Sequence, residues 1–324
     1  MAHEIANING KASMAFVGDR KEIWHGLGQE LTDNASIEVW KEEAGMNWEI
    51  QSSPITFQTP EGINTYTGQR VLYRGDNNQQ LSIVSDDYKV VQPGQVLEFF
   101  RDLVEEQGMK LSTAGVLFEG RRFWALADTG RAADILGNDR IKGMLLLTTS
   151  CDGTMATNAL FTSVRVVCNN TLRIALKSNQ DAAGRIRVSH KVEFDSKNIK
   201  DKLGLVDKAW NDFLSNITDL SKARIDDKSA QKFVYDLFAK KDIPVEEQPY
   251  TVAKNVNAIL SRYTNGMGTN MVGGTLWGLV NSVTEHIDHD TAHMRKADAK
   301  LWDTWYGKGS DIKTNALNKA LEMV

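Results

Sequence analysis

Between Trp48 and Val91 apolar and polar residues alternate with a period of two. Glu49-Ile50-Gln51, Ile55-Thr56-Phe57, Thr65-Tyr66-Thr67 and Val71-Leu72-Tyr73 read as strand segments. Thr59-Pro60-Glu61-Gly62 and Gly75-Asp76-Asn77-Asn78 supply the turns, so three strands form a meander over roughly residues 47–90. The period then lengthens. Pro93 opens a helix whose stripe is Val96, Leu97, Phe100, Leu103 and Val104, and Gly108 closes it. Strand patterns return at Lys110–Phe118, Arg121–Ala127, Gly143–Thr149, Ala159–Cys168 and Arg185–Val192. A short helix, Leu172–Lys177, is expected between the last two, capped by Asn169-Asn170-Thr171.

Ahead of this block, Ser36 caps a short helix with Ile37, Trp40 and Ala44 at helical spacing. Residues 1–34 read as irregular, with Trp24-His25-Gly26-Leu27-Gly28 as a compact aromatic-glycine element. Beyond Asp195 the pattern is helical, over about 196–221, 226–240, 249–264, 273–294 and 310–323, with breaks at Pro244 and Pro249 and with Ser310 starting the last helix. The class is α+β: an antiparallel β-sheet domain with a packed helix, followed by a helical C-terminal domain. The expected divisions are an arm and short helix over 1–46, the sheet domain over 47–195 and the helical domain over 196–324.

Composition narrows the possibilities. Of 324 residues, 41% are hydrophobic and 25% charged, which excludes wholesale disorder. No apolar run approaches the roughly 20 residues that span a bilayer. The first residues lack a basic stretch followed by an apolar one, and Cys151 and Cys168 are the only cysteines, so a cytoplasmic protein without a membrane partner is expected. The net charge of −4 argues against a uniformly basic coat for nucleic acid, but it hides an asymmetry. Residues 1–109 balance at −9, residues 110–191 at +6 and residues 192–324 at −1. A basic middle inside an acidic chain is the most informative feature of the sequence.

Several motifs carry chemistry weakly. Gly266-Met267-Gly268 and Gly273-Gly274 precede a helix, but no GxxxxGK[ST] is present and no strand leads in, so nucleotide hydrolysis is not expected. His286, His289 and His293 share one face of a continuous helix and could approach a metal, without a HExxH pattern; a polar helix face is the simpler reading. Ser150-Cys151-Asp152-Gly153 lacks the strained GxSxG elbow and reads as a tight turn whose hydroxyls and amides could touch phosphate. No cofactor is expected; a non-enzymatic role is preferred, and a metal-dependent enzyme using His286, His289 and His293 stays open as a third reading.

The basic third holds the candidate site. Arg165 shares a strand face with Phe161, and Arg185, Arg187 and Lys191 line one side of their strand. Arg173 and Lys177 are helical neighbours at a spacing of four. Arg121-Arg122-Phe123-Trp124 sets two guanidinium groups beside two aromatic rings. Cations alternating with apolar backing suit a phosphate backbone, and interleaved aromatics suit base stacking. The competing reading is the solvated surface of a β-domain with arginines paired to the acidic N-terminal third.

The segments Leu147-Thr148-Thr149-Ser150-Cys151-Asp152-Gly153 and Ser163-Val164-Arg165-Val166-Val167-Cys168-Asn169-Asn170-Thr171-Leu172 resemble the phage/plasmid-like proteins grouped under a domain of unknown function, number 932. Tyr88-Lys89-Val90-Val91-Gln92-Pro93, Gly120-Arg121-Arg122-Phe123-Trp124 and Gly274-Thr275-Leu276-Trp277-Gly278 follow in collinear order, so the resemblance covers nearly the whole chain. Cys151 departs from it, standing where the family pattern usually carries His, which counts against a catalytic or metal role there. The resemblance implies a mobile-element context and, by analogy of fold, a core like that of single-strand annealing proteins. The expectation is a homo-oligomeric protein that binds and anneals single-stranded DNA in recombination. Arg165, Arg173, Lys177, Arg185, Arg187 and Lys191 would meet phosphates, and Arg121, Arg122, Phe123, Trp124 and Phe161 would supply charge and stacking. The alternative is a host-protein-binding takeover factor acting through its acidic N-terminal region.

Overall fold

A computed structural model describes residues 7–8, 11–18, 28–137, 139–165, 170–173, 185–195, 206–240, 242–290 and 297–324. The chain forms two compact units. The first comprises 1–130, 144–161 and 178–205, and the second 131–143, 162–177 and 206–324. The boundary expected at residue 195 is therefore interrupted: two segments of the sheet region belong with the helices. Three long strands account for this, because each runs on from one unit into the other.

The first unit begins with the short strands β1 (Asn7–Ile8), β2 (Lys11–Ala12), β3 (Met14–Val17) and β4 (Gln29–Leu31). Residues read as irregular thus include sheet: Met14–Phe16 pairs antiparallel with β8 (Lys110–Leu117), and β3 pairs parallel with β4. Met14, Ala15 and Phe16 are buried, a three-residue apolar run too short to show a period. Helix α1 (Ile37–Glu43) follows Ser36, whose side chain accepts from the Val39 N–H as expected. The meander is β5 (Ile50–Thr59), β6 (Gly62–Arg74) and β7 (Gln80–Ser85), paired antiparallel in chain order. Helix α2 (Pro93–Gln107) ends at Gly108 in the left-handed region (φ +67°). Its buried face is Val96, Leu97, Phe99, Phe100 and Leu103; Val104, expected in that stripe, is exposed and Phe99 takes the inner position.

Strands β9 (Arg122–Asp134), β10 (Arg140–Ser150) and β11 (Thr157–Arg165) carry the sheet onward, and β13 (Arg185–Val188) pairs antiparallel with the first residues of β11. Within the first unit the order is β13-β11-β10-β9-β8-β3-β4. The turn from β8 into β9 is tight, with Glu119 and Gly120 at positive φ. A Cβ on Gly120 would meet Leu81, Arg74 and Trp48, so glycine is required there by conformation and by space.

In the second unit, β12 (Asn170–Arg173) pairs antiparallel with Thr162–Arg165. This corrects the expected helix at Leu172–Arg173; its remaining residues, 174–177, lie outside the described residues. The open edge of β11 offers backbone partners, and Leu172 is buried. The helices are α3 (Val206–Lys222), α4 (Asp227–Phe238), α5 (Tyr250–Asn265), α6 (Thr269–Val272), α7 (Leu276–Glu285), α8 (Ala297–Tyr306) and α9 (Lys308–Leu321). A π-helical turn, His286–Asp290, extends α7. The last helix starts ahead of Ser310, which is buried inside it. Helix α7 is buried all round, from Leu276 to Glu285.

A charge pair anchors this unit. Arg165, 3% exposed, donates through Nε to Asp139, 0% exposed, and through its terminal nitrogens to the Met267 and Gly268 carbonyls. The Trp277 indole N–H donates to the other Asp139 oxygen at 2.9 Å. Asp139→Ala would remove the carboxylate that the buried Arg165 guanidinium pairs with, which costs about 3–5 kcal/mol. Urea denaturation should show that loss, while Asp134→Ala, at an exposed surface pair, should shift the midpoint little.

Candidate functional site

Strand ends bring the sequence candidates of the first unit together. Arg122 starts β9, Ser150 ends β10, Thr157 starts β11 and Val188 ends β13, with Thr157 paired to Val188 and Asn158 to Arg187. All four lie at one end of the sheet. The link between β10 and β11 folds as an Asx turn: the Asp152 carboxylate accepts from the Thr154 N–H and hydroxyl, and Gly153 takes φ +71°. Arg122 crosses to this turn, 3.6 Å from Asp152 and 3.1 Å from the Thr154 hydroxyl, with its guanidinium over the Phe118 ring. Burial holds its pKa below the usual arginine value, and the Asp152 charge opposes that.

Behind the turn lies a polar cluster. Tyr88 donates to the Ser150 carbonyl at 2.9 Å and stacks on His190, with ring centroids 4.5 Å apart. The Lys89 carbonyl, 2.8 Å from His190 Nδ1, fixes that nitrogen as the donor. Thr149 and Thr157 share a hydroxyl hydrogen bond at 2.8 Å, and Ser82 donates to the Cys151 carbonyl. The Asn158 side-chain carbonyl oxygen is buried without a partner. The sequence did not link Tyr88, Thr149, Asn158 and His190: Tyr88 and Thr149 stood in separate segments of the resemblance, and Asn158 and His190 were given no site role. The available signal was a run of hydroxyl and amide residues, 148–150 and 157–158, at strand positions that adjoin apolar ones.

Cys151 is buried, and its thiol donates weakly to the Gly120 and Arg121 carbonyls. Burial, reinforced by the Asp152 charge, pushes its pKa up to about 12. A neutral, enclosed thiol is not a nucleophile. Burial also lowers the His190 pKa, against the pull of the Lys89 and Met155 carbonyls and of Asp152. The cluster sets the turn in place and holds no activated group.

The predicted site residues separate by exposure. Arg121, Arg187 and Lys191 are exposed, with Lys89 beside them, and Arg122 is partly buried. Phe123, Trp124 and Phe161 are core residues, at 0%, 2% and 2% exposure, and present no ring face to a base. Arg165 is enclosed by its pairing to Asp139. The strand position of Arg173 and Arg185 is described, but their side chains are not. Lys177, Cys168, His293 and the Trp24–Leu27 element lie outside the described residues. Acidic neighbours temper the rim: Glu119 is 3.9 Å from Arg121, Glu193 is 3.2 Å from Lys89, and Asp87 lies near Lys191.

In the second unit His286 meets a charged partner. Arg262 bonds both Asp290 and Glu285, and His286 Nδ1 lies 3.2 Å from Asp290. Those bonds to Arg262, with help from His286, lower the Asp290 pKa. Lys313 pairs with Asp288 at 2.6 Å, both buried. The carboxylates face cations, and among the described residues no group of three His, Cys, Asp or Glu is arranged to hold a metal.

A mixed sheet capped by a polar strand-end cluster and continued by a helical unit is thus the class of protein that fold and site define. A family model described as Domain of unknown function (DUF932) matches residues 80–305, and the chain belongs to that family. No curated protein and no solved structure matches it.

Two outcomes test the cluster. In a Cys168→Ser background, Cys151 should resist a thiol reagent at pH 8 in the native protein and react at once in denaturant. The His190 pKa is depressed on folding, so the unfolded chain binds more protons and stability falls as pH drops below the usual 6.5, until the folded-state pKa is passed. Relative to His190→Gln, the wild type should therefore lose unfolding free energy in that interval.

Proposed function

We propose that the chain binds the phosphates of single-stranded nucleic acid along the sheet end marked by Arg121, Arg187, Lys191 and Lys89, in the service of strand binding and annealing in a phage or plasmid setting. The observation that carries this reading is the gathering of four exposed cations at one strand-end rim, from segments separated in sequence. Strands β9, β10, β11 and β13 lie side by side, so the rim extends roughly 14 Å at about 4.8 Å per strand. That width accepts a few successive phosphates. The Thr154 hydroxyl and the backbone of the 151–154 turn add neutral donors. With the expected stacking rings in the core, affinity rests on charge.

Fluorescence anisotropy with a labelled oligonucleotide checks this. Four phosphate contacts give a slope of log K on log[salt] of about −3 for a single strand. Arg187→Glu/Lys191→Glu should weaken binding by more than tenfold and flatten that slope, with unchanged thermal stability. No binding at low salt, or full binding by the charge-reversed protein, would overturn the proposal.

The other reading is a protein-binding factor. The observation in its favour is the hairpin of β5 and β6, which carries the exposed apolar side chains Phe57, Ile63 and Tyr66.

A further inference from the structure

The β5–β6 hairpin extends beyond its own sheet. Strand β7 accompanies β6 only from Gln69 to Tyr73, so the residues from 55 to 66 form a two-stranded ribbon. The register breaks at its root: Pro54 pairs with Arg70, but Ile55 pairs with Tyr66, leaving 67–69 as a bulge. Gly68 sits there at φ +88° and donates to the Asp86 carboxylate. Beyond this bend nearly every residue on both faces is exposed. An isolated two-stranded ribbon is marginal in water, and among the described residues no third strand pairs with this one.

Its chemistry is uniform. Residues 51–69 contain one charged side chain, Glu61, at the turn. The cross-strand register puts Ile55, Phe57 and Tyr66 on one face, and Phe57 and Tyr66 are 49% and 50% exposed. Thr56, Gln58, Ile63 and Thr65 share the other. The edge residues Ile55–Thr59 are β-prone and lack the Lys or Glu that usually guards such an edge.

We infer that this hairpin is a self-association element whose Ile55–Phe57–Tyr66 face packs on the same face of a second copy. Charge selects that occupant. The ribbon has no cation for nucleic acid, and its one charge, Glu61, sits at the turn and off the Ile55–Phe57–Tyr66 face, so that face offers nothing to a strongly acidic or basic protein. Residues 1–109 carry a net −9, so two copies repel across most of that region. The ribbon is the stretch where identical copies can meet without opposing like charges. A face meeting its own image forms an isologous, closed contact. Two half-exposed aromatics per copy bury roughly 200 Å² between them, well below the ~800 Å² per partner of a standard interface, so the association is concentration-dependent and weak.

Sedimentation equilibrium of the full chain, without nucleic acid, tests this independently of the binding reading above. The wild type should show reversible dimerisation. Phe57→Asp/Tyr66→Asp and Phe57→Lys/Tyr66→Lys should each weaken it at least tenfold, with unchanged circular dichroism and melting temperature. Mixing the two variants should restore a heterodimer, because opposite charges then face each other. A wild type that stays monomeric at its highest soluble concentration overturns the inference. So does undiminished association of both variants, or a mixture that fails to recover it.

Discussion

Burial on both faces of the central strands governs everything else in this protein. From Thr157 to Ser163 every residue of β11 is buried, and so is every residue of β10 from Gly143 to Ser150. A cation on such a strand has two options. It pairs inside, as Arg165 does with Asp139, or it sits beyond the strand end, as Arg121 and Lys191 do. Among the described side chains, the basic residues of 110–191 divide between the interior Arg165–Asp139 pair, the strand ends that hold Arg121, Arg122, Arg187 and Lys191, and strand positions away from them at Lys110, Arg131, Arg140 and Lys142.

The same constraint explains the polar interior at that end. Strands covered on both sides satisfy most of the hydroxyls and amides they carry, with the Asn158 side-chain oxygen an exception. Thr149 and Thr157 do so by bonding each other, and Ser150 by bonding the Met155 carbonyl. Tyr88 and His190 close the cluster with their stacked rings. The result is a rigid base for the 151–154 turn and for the cations beside it. Preorganised donors lose less entropy on meeting a phosphate chain than mobile surface lysines do.

Legibility in the sequence followed periodicity. The meander, helix α2 and the helical region were readable because their apolar positions repeat cleanly and because Ser36, Pro93 and Gly108 mark ends with local chemistry. The short strands near Met14 and at Asn170–Arg173 were not, since their conformation comes from partner strands rather than from their own residues. The site was half legible. Alternation along β11 was read as one exposed face and one buried face, which placed Phe161 and Arg165 on a binding surface. That logic requires a half-exposed strand, and here both sides are covered. Arg165 sharing a face with Phe161 was itself the sign of an interior arginine. Arg121, Arg187 and Lys191 were picked for charge, but their common location depends on pairings between distant segments. Tyr88 and His190 are 102 positions apart by number and carry no motif that links them.

Ultraviolet crosslinking of the intact protein to a single-stranded oligonucleotide, followed by peptide mapping, bears most directly on the central claim. The account predicts crosslinks concentrated in the peptides that hold residues 119–122, 151–154 and 187–191, and their loss in Arg187→Glu/Lys191→Glu. Crosslinks confined to the helical unit or to the β5–β6 hairpin, or none under conditions where the oligonucleotide is bound, would contradict it.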